Sequence, residues 1–152
     1  MAASREEVIR MLIESYTMEL ETVANYLANS INLDGVRAEE IKKSLAADVT
    51  SEIQHAGDLG NRIKQLGGIV PGSLELRFGQ KSLQSSENTT DVVSVIKAVI
   101  EAEEAACAQY NRVIQATDGK DYVTQDLCIR LLADEEEHLV QFRGFLKEYT
   151  QP

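Results

Sequence analysis

Two tetrapeptides in this chain carry metal-binding chemistry in the same arrangement, Glu52-Ile53-Gln54-His55 and Glu135-Glu136-Glu137-His138. On a helix, residues three apart share a face about one turn apart. Each carboxylate and imidazole can therefore grip one cation from the same side. Zinc and iron accept imidazole, and carboxylate with imidazole suits iron or manganese. His55 and His138 are the only two histidines in the chain. A second pattern accompanies the first: Glu19 precedes Tyr26 by seven residues, and Glu103 precedes Tyr110 by seven. Two helical turns put each Glu and its Tyr on one face. Glu19 lies 33 residues before Glu52, and Glu103 lies 32 before Glu135. The chain reads as two copies of one helix pair, each bringing one Glu and one Glu-x-x-His. Glu19, Glu52, His55, Glu103, Glu135 and His138 are the candidate ligands.

Bringing six such side chains together needs long helices, and the sequence permits them. Its two prolines are Pro71 and Pro152, so no proline interrupts the periodic stretches. Ser4-Arg5-Glu6-Glu7 reads as a capping box. It opens a helix with the stripe Leu12, Tyr16, Glu19, Val23, Tyr26 and Ser30, ending near Asp34-Gly35. A second helix carries Ile41, Leu45, Asp48, Glu52, His55 and Leu59, and reaches Leu66 before Gly67-Gly68. Periodicity lapses from Gly67 to about Thr90. A third helix is expected from Asp91, with Val92, Ile96, Val99, Glu103, Tyr110 and Val113 on its inner face. Gly119 marks a short turn. Thr124 reads as the cap of a fourth helix, which otherwise starts a turn earlier, with the stripe Cys128, Leu131, Glu135, His138, Phe142, Phe145 and Tyr149. A length of 152 residues supports one domain with a sizeable core, spanning 1–152.

Every stripe is apolar at both ends and ionisable in the middle. A lone carboxylate in a core is expensive and tends to neutralise. Four carboxylates and two imidazoles converging there call for cations, and two divalent ions balance four glutamates. Glu21, Glu101, Glu104, Glu136 and Glu137 fall off the stripes and are expected at the surface. Glu103 is preferred to its neighbour Glu104 because its spacing to Tyr110 copies that of Glu19 to Tyr26. Tyr26 and Tyr110 read either as core aromatics or as donors that orient metal-bound carboxylates. Asp48, one turn before Glu52, reads either as an acid behind a ligand or as the partner of a basic residue.

The constellation resembles the ferritin-like carboxylate proteins, in which two helices each give a Glu and the other two each give a Glu-x-x-His. Within them it is similar to bacterioferritin. Glu19-Leu20 with Tyr26 resembles the first-helix motif of that family, and Asp121-Tyr122-Val123-Thr124-Gln125-Asp126, running on to Asp134-Glu135-Glu136-Glu137-His138, resembles the start and ligand motif of its fourth helix. The likeness extends from about Glu6 to Tyr149. It implies an all-α, ferritin-like four-helix bundle with a long crossover between helices two and three, which explains the aperiodic stretch. It also implies a di-iron ferroxidase with Glu52 and Glu135 bridging two Fe ions, Mn or Zn being possible substitutes, and Glu19 and Glu103 terminal. Fe(II) would be oxidised by hydrogen peroxide or dioxygen and stored as ferric iron in a hollow homo-oligomer, protecting against oxidative stress.

Three features bear on where in the family this chain falls. Bacterioferritins take haem through a Met directly after the Glu of the first Glu-x-x-His. Ile53 stands there, so no haem is expected at that place. The sequence runs fourteen residues past His138, short of a fifth helix, which favours a 12-subunit shell over 24. Cys107 and Cys128 lie near the ligands on helices three and four. They read as small buried hydrophobes or, by similarity to Dps-like thioferritins, as a possible redox pair. The alternative to storage is a dimetal redox enzyme like rubrerythrin-type peroxidases or manganese catalases. A metal-free structural bundle would have to bear its buried acids uncompensated. The net charge of −10 disfavours nucleic acid as a partner, and the N-terminal residues hold no lysine cluster of the kind that serves DNA in some Dps proteins. With no apolar run of membrane length and no signal-peptide core, the expected location is cytoplasmic.

Overall fold

The computed structural model describes residues 3–151. Four helices dominate: α1 Arg5–Asn32, α2 Glu39–Gln65, α3 Val92–Thr117 and α4 Tyr122–Thr150. Single 3-10 turns at Val36–Ala38 and Ser73–Glu75 punctuate the connections. No strand occurs among the described residues, so this is an all-α four-helix bundle. None of its helices is long and apolar enough to cross a membrane.

Side chains write the helix boundaries. The Ser4 hydroxyl accepts the Glu7 N–H while the Glu7 carboxylate accepts the Ser4 N–H at 2.7 Å, the expected capping box. At the end of α2, Gly67 N–H bonds the Lys64 carbonyl and Gly68 N–H bonds the Ile63 carbonyl, which is a Schellman motif. Gly67 has φ +89°, a left-handed value that disfavours any side chain. A Cβ on Gly68 would meet methyls of Ile9 and Ile63 at 2.9 Å. The fourth helix is capped by Asp121, not by Thr124. The Asp121 carboxylate accepts the Thr124 N–H at 3.0 Å and the Thr124 hydroxyl at 2.5 Å. A carboxylate facing a helix N-terminus is the stronger acceptor, so the helix begins one turn earlier. Arg62, in the last turn of α2, donates to both Asp121 and Thr124 at 2.8 Å, tying the end of α2 to the start of α4.

α1 packs along α2 and α3 along α4, while α1–α3 contacts join the two hairpins. α1 and α3 run antiparallel, for the Ala3 N–H at the start of α1 bonds the Ala116 carbonyl at the end of α3. The crossover between α2 and α3 is clipped to one face of α1. The Glu21 carboxylate accepts the Gln80 N–H at 2.8 Å, Asn25 bonds the Gln80 side chain, Asn29 donates to the Leu83 carbonyl at 3.3 Å, and Asn32 donates to Ser85 at 3.3 Å. Spacings of four, four and three align these side chains along α1. Glu21 is therefore buried, against the expectation of a surface acid, because the crossover covers it. Glu101, Glu104, Glu136 and Glu137 are exposed as expected.

Leu83, on the crossover, plugs one of two apolar clusters. That cluster holds Tyr26, Ile41, Leu45, Ile96, Val99 and Phe142. The other, toward the opposite end, holds Leu12, Leu59, Ile63, Tyr110, Val113 and Leu131. Between them lies a layer of ionisable groups.

Candidate metal centre

All six predicted ligands fall in that layer. α1 gives Glu19, α2 gives Glu52 and His55, α3 gives Glu103, and α4 gives Glu135 and His138. Five are no more than 3% exposed, and the His138 side chain is 12% exposed. They form two overlapping groups, Glu19, Glu52, His55 and Glu135, and Glu52, Glu103, Glu135 and His138. Within each group, one donor atom per residue lies within 4.8 Å of every other. Glu52 and Glu135 belong to both, so the layer offers two four-donor positions that share two carboxylates.

The histidines are aimed alike. His55 Nδ1 faces Glu135 at 2.9 Å, Glu52 at 3.4 Å and Glu19 at 3.5 Å. His138 Nδ1 faces Glu52 at 3.3 Å, Glu135 at 3.6 Å and Glu103 at 3.8 Å. Each Nε2 points outward to an aspartate, His55 to Asp134 at 2.9 Å and His138 to Asp48 at 3.5 Å. A carboxylate behind a histidine fixes the ring and its tautomer; Asp134 makes that hydrogen bond to His55, while Asp48 stands behind His138 at a longer distance. Asp134 is the functional candidate that spacing missed. It lies off the inner stripe and is half-exposed, and its one signal is that it directly precedes Glu135.

The tyrosines pair crosswise. Tyr26 donates its hydroxyl to Glu103 Oε1, and Tyr110 donates to Glu19 Oε1. The seven-residue spacing does put each tyrosine on the face of its own glutamate. Because α1 and α3 are antiparallel, however, a step forward on one meets a step back on the other, and each hydroxyl reaches the partner helix. Both rings are buried.

Seven buried side-chain atoms lack a hydrogen-bond partner among the described residues: Glu19 Oε2, Glu52 Oε1, His55 Nδ1, Glu103 Oε2, Glu135 Oε1, His138 Nδ1 and Asp48 Oδ2. Six come from the six candidate ligands, one from each. Buried polar atoms are normally satisfied, and those six orphans, which converge on one layer, are a donor set that fits cations. Oxygen and imidazole donors in this ratio suit iron, manganese or zinc.

Without cations the layer keeps its charge down with protons. Burial pushes the Glu19 carboxyl well up, with Glu52 adding to it, and raises Glu103 to about 11, with Glu135 adding. Burial would raise Glu52 and Glu135 too, but the neighbouring Glu19 or Glu103 and the two imidazoles outweigh it and hold them below the usual carboxylate range. Burial lowers the affinity of both imidazoles for protons, yet the surrounding carboxylates outweigh it. They raise His138 to about 11, and His55 is raised as well.

Cys107 and Cys128 are free thiols, the first half-buried and the second buried in the cluster around Tyr110. Burial and the nearby carboxylates push Cys107 up to about 11, and burial with Asp121 pushes Cys128 up to about 12. A protonated thiol is a poor nucleophile, and the one group that lowers Cys107, Arg143, is outweighed by burial and the carboxylates.

A four-helix bundle with an inward carboxylate–histidine layer contributed by all four helices defines the class of the protein. The comparisons agree. The ferritin-like domain family model matches residues 9–151, and the chain belongs to that family. It is 28% identical over 145 residues to the DNA protection during starvation protein of Pyrococcus furiosus, covering 93% of this chain and 77% of that one. It is 26% identical over 150 residues to the bacterioferritin of Desulfovibrio desulfuricans, covering 95% and 79%. Among solved structures it superposes on the dodecameric thioferritin of Bacteroides fragilis with a TM-score of 0.87 at 23% identity, covering 97% and 88% of the two chains.

Proposed function

We propose that Glu19, Glu52, His55, Glu103, Glu135 and His138 would hold two metal ions, Glu52 and Glu135 being common to both positions, and that the protein is a ferroxidase of the bacterioferritin and Dps type. The carrying observation is the sharing of Glu52 and Glu135 between two four-donor groups whose orphaned atoms all converge. Four carboxylates balance two divalent cations, and neutral Nδ1 atoms complete each position. When bound, a pair of ferrous ions supplies two electrons together to hydrogen peroxide or dioxygen, which avoids release of a one-electron oxygen radical. The chain's own residues hold the geometry. Tyr26 and Tyr110 fix the outer carboxylates Glu103 and Glu19, Asp134 fixes the His55 ring while Asp48 stands behind that of His138, and the apolar clusters above and below keep water from the layer. The ferric product would be stored in a hollow homo-oligomer in the cytoplasm. The dodecameric state of the Bacteroides fragilis relative supports a shell of twelve rather than twenty-four. Ile53 offers haem no donor atom.

Light scattering in line with size exclusion, on protein supplied anaerobically with Fe(II) and then peroxide, tests this reading. The expected result is a many-subunit particle that takes up far more than two irons per chain. A small oligomer that stops at two metals yet turns over peroxide would make it a dimetal peroxidase or catalase instead. Uptake unchanged by Glu52→Ala and Glu135→Ala would remove the assigned site altogether.

A further inference from the structure

Short turns set how α1 lies along α2 and how α3 lies along α4, but α1 and α3 belong to different hairpins joined by the long crossover. Their register matters, because Tyr110 on α3 must meet Glu19 on α1, and Tyr26 on α1 must meet Glu103 on α3. A slip of one residue moves a helix about 1.5 Å along its axis, which is more than a hydrogen bond tolerates. One side chain spans the two helices beside this pairing. Gln109, directly before Tyr110, is 1% exposed. Its amide nitrogen donates to the Met11 carbonyl and to the Ser15 hydroxyl, both at 3.1 Å. Ser15 is itself buried and donates to the same carbonyl at 3.0 Å. The Arg112 guanidinium donates to the side-chain oxygen of Gln109.

Ser15 lies one turn before Glu19. Two consecutive residues of α3 therefore hold α1 at points a turn apart, Gln109 at Ser15 and Tyr110 at Glu19. A buried amide adds little net stability over an apolar side chain of the same size, since desolvation offsets its bonds. What it adds is direction, because it is satisfied in one register and loses its bonds in the next. The repeat does not copy this clasp. Asn25 precedes Tyr26 as Gln109 precedes Tyr110, but it bonds Gln80 on the crossover. Val99 precedes Glu103 by four residues, as Ser15 precedes Glu19, and has no hydroxyl.

We infer that Gln109 is a positioning residue for the metal position served by Glu19, because its bonds to Ser15 and Met11 lock α1 against α3 in the register that lets Tyr110 reach Glu19. The inference rests on the dimetal reading for its effect on metal binding, and not for its effect on the tyrosine. Gln109→Met keeps the side chain's size and removes its donor. It strands no buried group, since the Met11 carbonyl keeps the Ser15 hydroxyl and Arg112 is exposed. Ser15→Ala is a milder second variant that removes one of the two acceptors.

The test is a pair of double-mutant cycles in Zn(II) affinity, measured by competition with a chelator, together with a crystal structure of metal-free Gln109→Met. Gln109→Met should weaken one of the two zinc ions about tenfold or more and leave the other within about twofold. Added to Tyr110→Phe it should cost nothing further, because both act on Glu19, whereas with Tyr26→Phe the losses should multiply. Ser15→Ala should act in the same direction and more weakly. In the metal-free variant the Tyr110 hydroxyl should stand off Glu19 while Tyr26 keeps Glu103. Equal weakening of both ions, losses that multiply with Tyr110→Phe, or a Tyr110–Glu19 bond that survives in the variant structure overturns the proposal. Zinc binding in the unsubstituted protein that is indifferent to Glu52→Ala removes the dimetal reading instead, and the variant structure then decides the role of Gln109 by itself.

Discussion

Filling the metal layer should exchange protons for ions in a fixed ratio. In the metal-free protein, burial and crowding keep Glu19 and Glu103 protonated at neutral pH, and the carboxylates keep His55 and His138 as imidazolium ions. Glu52 and Glu135 are ionised, so two negative charges face two positive ones. With two divalent ions, four carboxylates and two neutral imidazoles again sum to zero. Loading both positions at pH 7 should therefore release about four protons per chain, or about two per ion, since ligands must lose their protons to bind. The apparent affinity should then rise about a hundredfold per ion for each pH unit around neutrality. Zn(II), which does no redox chemistry, isolates the binding step. The assay is a pH-stat titration of metal-free protein with Zn(II), repeated calorimetrically in two buffers of different ionisation enthalpy. Glu103→Gln removes one titrating carboxyl and should reduce the release by about one proton. Release below about two protons per chain would refute the reasoning, because it would mean that the crowded carboxylates bear their charge without protons. The same shifts set a stability trend. A group whose pKa is raised on folding stabilises the fold below its unfolded pKa and loses that contribution as pH rises through the folded value. Metal-free protein should thus weaken, in urea melts, first as pH climbs above about 4.3, where Glu19 and Glu103 would ionise if unfolded, and further from about 6.5 towards the value of about 11 held by His138.

Asp121→Ala should cost about 1 kcal/mol at pH 7, the usual worth of an N-cap. Burial opposes the charge on Asp121, but Thr124 and Arg62 hold its pKa below the ordinary value. The cost should therefore persist above about pH 4 and vanish as acid protonates the carboxylate, which urea melts across that range will show. Gly67→Ala forces a side chain into a left-handed conformation and should cost about 1–2 kcal/mol, read from the melting midpoint. Tyr110→Phe leaves Glu19 Oε1 without its donor. It should weaken Zn(II) binding about tenfold or more, measured by competition with a chelator, and Tyr26→Phe should act likewise through Glu103.

What the sequence disclosed about the site it disclosed through periodicity. A carboxylate or imidazole in the middle of an apolar stripe is visible because burial of its neighbours makes the charge anomalous, and that, with the two Glu-x-x-His repeats, marked all six inner residues. Residues that act from outside the stripe carry no such anomaly. Asp134 sits among acidic neighbours and looks like any solvated side chain of an acidic helix. Only the orientation of the His55 ring gives it a role. Glu21 was misplaced for a related reason. A side chain's burial depends on what covers it, and the crossover that covers Glu21 has no periodicity to announce its path. The ladder of Glu21, Asn25, Asn29 and Asn32 is a signal for that path in retrospect, since three asparagines at helical spacing are poor helix formers and need another reason to be there. The start of α4 turned on a local competition between Asp121 and Thr124, two good caps three residues apart. The carboxylate won because it can accept two bonds from Thr124 and pair with Arg62 at once.

The crosswise tyrosines show how duplication and antiparallel packing together build a symmetric centre. A glutamate and a tyrosine seven residues apart on α1 are repeated on α3. Turned head to tail, the two copies satisfy each other: Tyr26 serves Glu103 and Tyr110 serves Glu19. Neither half-chain could build the layer alone, because each tyrosine's acceptor lies on the other half. The same pairing places one tyrosine in each apolar cluster, so each polar bond crosses from a dry plug into the charged layer. Symmetry ends at the outer nitrogens of the histidines. His55 leans on a half-exposed aspartate at hydrogen-bond distance, and His138 on a buried aspartate that is farther away and keeps one oxygen free. Two positions with equivalent inner donors thus differ in how firmly their histidine is held. That difference lies outside the ligand set, in the aspartates behind the two rings.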